Sequence, residues 1–173
     1  AIVACDDGSV VACDENGVIW TRQVRSVMRV APTLAGDTLY VCVEGRLVAI
    51  AAKSGNESWA HVLPAEVVGA ACVANDRVYV STADGSVTCL DTKGEDGKDR
   101  RIWQVKPGGT LRAGVAVANG QALVGDVGGS VYCLDATSGE SLWKYVTRAP
   151  IRTAPLVVDS KVYVASDDMN LYV

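Results

Sequence analysis

The chain has 173 residues, 49% of them apolar, with 16 basic and 20 acidic side chains and a net charge of −4, a composition that suits one well-buried globular domain. No run of like charge is long enough to serve as a nucleic-acid-binding arm, and no uninterrupted apolar stretch approaches the roughly 18 residues of a membrane span. The opening residues Ala1-Ile2-Val3-Ala4 lack the basic region and cleavage site of a signal peptide, so any targeting segment is expected to lie outside this sequence.

In chain order, the first element is a hairpin over 2–14, two short apolar runs around the turn Asp7-Gly8, followed by a polar turn with glycine, Asp14-Glu15-Asn16-Gly17, that leads to Trp20. An apolar segment over 30–34 comes next, then a hairpin over 39–51 around Glu44-Gly45, and a turn containing Ser54-Gly55 before Trp59. The series repeats with 69–74, a hairpin over 78–91 around Asp84-Gly85, and a turn containing Asp96-Gly97 before Trp103. It repeats again with 114–118, a hairpin over 122–135 around Gly128-Gly129, and Ser138-Gly139 before Trp143. The chain closes with 154–158 and a fifth hairpin over 162–173 around Asp168-Met169.

The four tryptophans are 39, 44 and 40 residues apart. Each period therefore predicts four short strands rich in Val and Tyr, joined by turns, with no apolar i, i+3, i+4 pattern to argue for a helix. A four-stranded antiparallel sheet cannot bury both faces alone, and stacking such sheets about an axis hides them. The predicted fold is all-β, a sector of a β-propeller made of four-stranded antiparallel blades, with repeats over 1–29, 30–68, 69–112, 113–152 and 153–173. Numbered from the axis outward, the chain supplies four first, five second, five third and four fourth strands, so about four repeats contain three complete blades. The first strand of each blade is expected to be the most buried. Because unmatched strands leave backbone groups without partners, the ring is expected to need further blades or a second copy to close.

The segment Asp135-Ala136-Thr137-Ser138-Gly139-Glu140-Ser141-Leu142-Trp143 resembles the tryptophan-docking motif of pyrroloquinoline-quinone-type (PQQ-like) β-propellers. That resemblance covers the whole chain. It implies that Trp20, Trp59, Trp103 and Trp143 each pack on the neighbouring blade, and that the complete propeller has seven or eight blades. The second copy carries Ala51 where the others have aspartate, and the third has a longer charged loop over 93–101, which leaves the docking geometry open there. Enzymes of the family oxidise alcohols or sugars with a quinone and calcium, and have a disulfide between adjacent cysteines over the quinone. No two cysteines are adjacent here, so a fragment of a quinoprotein dehydrogenase is kept as the alternative, and no cofactor is expected. Among non-enzymatic members the chain is similar in repeat type and loop position to BamB, a lipoprotein propeller that aids outer-membrane β-barrel assembly and contacts its partner near the inner strands.

The residues that could carry chemistry are few. Asp6-Asp7, Asp14-Glu15 and Asp167-Asp168 fall in or beside hairpin turns, where Asp serves turn geometry. His61 is the one histidine, which with the cysteine spacing makes a zinc site unexpected. The six cysteines, Cys5, Cys13, Cys42, Cys72, Cys89 and Cys133, are read as small buried hydrophobes without disulfides. Six thiols suit a reducing interior, whereas relatives of the repeat are mostly exported, so the compartment stays open between cytoplasm and periplasm. Arg29, Arg112 and Arg152 share one position in their repeats, just ahead of the first strand, where the remaining blade has Val68; Arg25 and Arg148 are near. These arginines are expected to line one mouth of the central channel. The functional expectation is a non-catalytic scaffold for protein–protein interaction or ligand sensing, with an arginine-lined mouth that suits an acidic partner.

Overall fold

The computed structural model describes residues 1–5, 7–24, 27–94 and 98–173. Asp6, Arg25, Asp96 and Gly97, which figure in the sequence patterns, lie outside the described residues. The described residues form strands and turns, with no helix.

The first sheet holds β1 (Ile2–Ala4), β2 (Ser9–Asp14) and β3 (Gly17–Gln23). Three four-stranded sheets follow. The second is β4 (Thr33–Ala35), β5 (Thr38–Val43), β6 (Arg46–Ala51) and β7 (Glu57–Val62), and the third is β8 (Cys72–Ala74), β9 (Arg77–Ser81), β10 (Val87–Asp91) and β11 (Arg101–Val105). The fourth is β12 (Ala116–Ala118), β13 (Gln121–Gly125), β14 (Ser130–Asp135) and β15 (Ser141–Val146). The last sheet has three strands, β16 (Leu156–Val158), β17 (Lys161–Ala165) and β18 (Leu171–Tyr172). Each sheet is an antiparallel meander in which chain neighbours are spatial neighbours.

Sheets meet through their first strands: β8 packs against β4 and β12, and β12 against β16. The inner strands therefore gather about an axis and the sheets fan outward as a propeller sector. Close approach at the axis explains two glycines. A methyl on Gly69 would collide with the backbone nitrogen of Gly114, and one on Gly114 would fall 3.0 Å from the Ala70 oxygen.

The cores lie between sheets, and strand alternation builds them. Along β5, Leu39, Val41 and Val43 face the first sheet and join Val10 and Trp20, while Tyr40 and Cys42 face the third sheet and join Val78, Val80 and Leu90. The third and fourth sheets share Tyr79, Cys89, Trp103, Val124, Tyr132 and Leu134. Successive side chains leave a strand on opposite faces, so a middle strand fills two cores at once and reads as a continuous apolar run. Each such fully buried Leu or Ile contributes about 1.5–3 kcal/mol of transfer free energy.

Burial corrects one expectation. The first strands are not the most buried: β8 and β12 are half-buried throughout and β16 alternates between exposed and half-buried, whereas β9, β10, β13 and β14 are almost wholly buried. Each first strand is only three residues long, starts two or three residues later than the apolar segment, and pairs on one edge alone. Its other edge faces the axis, where no sheet covers it. The cysteine expectation also divides. Cys42, Cys89 and Cys133 are buried, and burial pushes the thiols of Cys89 and Cys133 up to about 11 and that of Cys42 up to about 12. Cys5, Cys13 and Cys72 are half-buried, because they stand at strand ends or on an inner strand. All six are free thiols.

Candidate functional site

The face that carries the arginines is made of two kinds of loop. One connects the fourth strand of a sheet to the first strand of the next, and the other is the hairpin turn between second and third strands. Backbone bonds knit them in register: Ala83 N donates to Glu66 O, Val127 N to Thr110 O and Asp167 N to Pro150 O. Bridges Val67↔Thr82 and Leu111↔Asp126 extend the pairing. Arg29, Val68, Arg112 and Arg152 thus each stand four residues ahead of β4, β8, β12 and β16. Across the turn from them lie Glu44, Ala83, Val127 and Asp167.

This register decides how the arginines are satisfied. Arg152 Nε donates to Asp167 Oδ2 at 2.7 Å. Arg29 Nε is 3.8 Å from Glu66 Oε1 of the adjoining connection, with both side chains more than half exposed. Arg112 has Val127 at the turn position, is exposed, and makes no ion pair or hydrogen bond through its side chain among the described residues. Its backbone is well held, since Leu111 is fully buried and Ala113 nearly so. The Arg148 backbone N–H donates to Asp168 Oδ2, and its side chain is exposed.

The turn carboxylates are occupied locally. Asp7 Oδ1 accepts from the amide and hydroxyl of Ser9, Asp14 Oδ1 from Asn16 N, and Asp168 from Asn170 N, Arg148 N and the Tyr172 hydroxyl. The Tyr172 hydrogen bond is the chief reason that the Asp168 carboxyl falls to about 2. In the fourth sheet Asp126 takes this duty from inside the core, accepting from Ser130 N, Gly109 N and the Tyr132 hydroxyl. Among the described residues no three His, Cys, Asp or Glu side chains converge as a metal-binding group.

The tryptophans lie on the opposite side of the repeat. Each is on the fourth strand, paired with a third-strand residue immediately before a bulge: Trp20↔Ala12, Trp59↔Ala49, Trp103↔Cys89 and Trp143↔Cys133. A bulge re-aims side chains along the strand. Trp20 Nε1 donates to Ala52 O at 2.9 Å and Trp103 Nε1 to Ala136 O at 3.1 Å, each in the turn of the following sheet. Gly55 and Gly139 lie flat on these rings; added methyls would fall 2.7 Å from Trp20 Cδ2 and 2.8 Å from Trp103 Cδ2. Trp59 meets instead the long charged loop, where the Arg100 guanidinium stacks on its ring. Trp143 is 38% exposed.

His61 on β7 faces the same loop, with Nδ1 3.8 Å from Asp99 Oδ1. Burial lowers its affinity for a proton, although Asp99 opposes this. Sequence reasoning gave Arg100 no role and took Gly55 and Gly139 only as turn residues. The two glycines were visible, at a constant distance before the next tryptophan, whereas Arg100 lies in an insertion with no counterpart in other repeats.

Residues 6–99 and 95–173 match the protein family described as outer membrane protein assembly factor BamB. The chain is similar to the crystal structure of BamB from Moraxella catarrhalis, at 23% identity and a TM-score of 0.82 over 95% of this chain and 55% of that one. It is similar also to the computationally designed Ika8 protein, at 16% identity and a TM-score of 0.82 over 98% of this chain and 53% of that one. A europium-containing methanol dehydrogenase matches at 21% identity and a TM-score of 0.58, over 69% of this chain and 24% of its own. The chain thus spans about half the length of the first two. A comparison with curated proteins finds no significant match. No helix among the described residues is long and apolar enough to cross a membrane.

Proposed function

The chain belongs to the family of the outer membrane protein assembly factor BamB, and from that premise we propose that it is a non-catalytic scaffold whose arginine-bearing face receives an acidic segment of a protein partner. The observation that carries this reading is Arg112, an exposed guanidinium on a fixed backbone with a valine where Arg152 meets a carboxylate. Arginine's planar fork suits a carboxylate in bidentate geometry. With a net charge of −4, the chain as a whole repels an acidic ligand, so capture depends on this local field. Arg152, ahead of the next sheet, and Arg29, two sheets away, have carboxylates already near them and act as exchangeable secondary contacts. In this reading the repeats 1–29, 30–68, 69–112, 113–152 and 153–173 are the structural units, with Trp20, Trp59, Trp103 and Trp143 keying one to the next. Each boundary falls on the mouth position, and further blades or a second copy complete the ring.

The alternative, a piece of a quinone-dependent dehydrogenase, has in its favour the partial likeness to a methanol dehydrogenase, which is a likeness of fold. Two measurements separate the readings. A fluorescein-labelled peptide of alternating Glu and Gly is titrated at low salt against the chain, Arg112→Ala and Lys53→Ala, the last removing a surface cation paired with Asp37. Binding about tenfold weaker in Arg112→Ala alone supports the scaffold site; equal binding by all three proteins ends it. Alcohol oxidation that depends on added quinone and calcium would put the dehydrogenase reading in its place.

A further inference from the structure

The hairpin turn between β5 and β6 is one residue shorter than its counterparts. In the third, fourth and last sheets, three residues stand between the bonded ends Thr82 and Ser86, Asp126 and Ser130, or Ser166 and Asn170. In the second sheet Val43 pairs directly with Arg46, with only Glu44 and Gly45 between them. The residue lost from the turn is one that knits the mouth face elsewhere. Ala83, Val127 and Asp167 each donate a backbone N–H to the carbonyl that stands seven residues after the preceding tryptophan, at Glu66, Thr110 and Pro150. The equivalent carbonyl is that of Val27, seven residues after Trp20, and among the described residues Glu44 N makes no such bond to it.

A cavity of about 580 Å³ lies where this turn falls short, between the two connections that border the second sheet. Its apolar walls are Val27 and Val62, 58% and 73% exposed. Three charged side chains line it, and two of them answer each other, Arg29 and Glu66 at 3.8 Å. The third, Glu44, is exposed and has no ion pair or side-chain hydrogen bond among the described residues. Arg46, which follows the turn, does not line the cavity. Glu44 also holds φ at 44°, because a two-residue turn needs positive φ at both positions, a conformation that Asn, Asp and Gly take more readily. An unanswered carboxylate thus sits at the cavity against its local backbone preference.

We propose that this cavity is a docking site for an extended peptide segment that carries a basic residue between two apolar ones. The main chain of the segment donates to the Val27 carbonyl in place of the missing turn residue, which is why the occupant is a peptide rather than a small cation. Alternation along an extended chain sends the two apolar side chains onto Val27 and Val62 and the basic one to the exposed Glu44 carboxylate. An acidic segment, the ligand proposed for Arg112, is repelled here by Glu44 and Glu66. The two sites take opposite charges, and the net charge of −4 favours a basic ligand at this one.

The probe is fluorescein-labelled Gly-Leu-Arg-Leu-Gly, titrated by anisotropy at low salt beside the same peptide with glutamine in place of arginine. The proteins are the chain, Glu44→Gln and Arg112→Ala. Saturable binding of the arginine peptide is expected, weaker by at least about tenfold both with the glutamine peptide and in Glu44→Gln, and unchanged in Arg112→Ala. The amide resonances of Val27, Gly45 and Ala65 shift as the peptide binds. Absence of saturable binding, equal affinity for the two peptides, or equal binding by the chain and Glu44→Gln overturns the proposal. So does an equal loss in Arg112→Ala, which would move the peptide to the other site. Insertion of one alanine between Val43 and Glu44, restoring a three-residue turn, is expected to abolish binding. Where that variant fails to fold, Glu44→Gln decides the question, since it alters one exposed side chain without changing its shape.

Discussion

The guanidinium carbon of Arg100 lies 4.7 Å from the centre of the Trp59 ring, and Gly94 packs on the Arg100 side chain rather than on the indole. A cation is thus interposed at the one junction where the following turn is lengthened and charged. Arg100 is 7% exposed, and its Nη1 donates toward the carbonyls of Asp91 and Thr92 at 3.5 and 3.3 Å. Cation–π stacking in a desolvated place and charge-assisted hydrogen bonds together argue for a loss of about 2–4 kcal/mol in Arg100→Ala. Arg100→Lys, which keeps the charge but not the planar fork, is expected to recover less than half of it. Urea denaturation midpoints measure both.

The two seated glycines test the plain junctions against a built-in control. Gly55 and Gly139 have φ of 73° and 77°, and Gly36 and Gly120 have 57° and 74°, so alanine at any of the four meets the left-handed cost of about 1–2 kcal/mol. Only the first two lie against an indole. Gly55→Ala and Gly139→Ala are expected to lose a further ~1–3 kcal/mol through overpacking. Equal losses at all four positions in thermal or urea unfolding would remove the ring contact from the account.

Chemically identical substitutions at two tryptophans should differ widely. Trp103 is 8% exposed and hydrogen-bonded across the junction, and Trp103→Ala is expected to cost about 3–5 kcal/mol. Trp143, at 38% exposure with no such bond among the described residues, is expected to lose under ~1.5 kcal/mol. The pair of unfolding curves gives the comparison directly.

Acid should weaken the fold in two windows. Burial pushes the His61 imidazole below its ordinary 6.5, so the unfolded chain takes up the proton more readily. This contribution is complete above pH 6.5 and is lost as pH falls through the folded value. His61→Gln is expected to flatten the decline in urea midpoint between about pH 7.5 and about pH 5. For Asp84, burial acts to raise the carboxyl, but hydrogen bonds from Lys106, Thr82 and Ser86 together outweigh it and hold it well below 3.8. Its contribution is present above pH 3.8 and disappears as pH falls further, and Asp84→Asn is expected to blunt that second decline.

Much of the fold was legible because its signals are local. The recurrence of tryptophan at 39, 44 and 40 residues, the Gly-containing hairpins and the apolar alternation depend on residues close in the chain, and β5 with β6 or β13 with β14 lie where those signals put them. The first strands were misjudged because apolar content reports burial only when something covers both faces, and the axis side of β8 and β12 is covered by neither sheet. Arg29, Arg112 and Arg152 shared a position in the sequence, but not a chemical state.

Sequence alone determined the strand order, the turns and the repeat, since side-chain alternation and glycine placement act within a single period. Tertiary structure alone decided which arginine meets a carboxylate, which indole is covered and what lies on it. Those outcomes rest on contacts between residues such as Trp20 and Ala52, Trp103 and Ala136, or Arg152 and Asp167. Such pairs are brought together by the angle between adjacent sheets or by closure of a hairpin, and no single repeat carries that information.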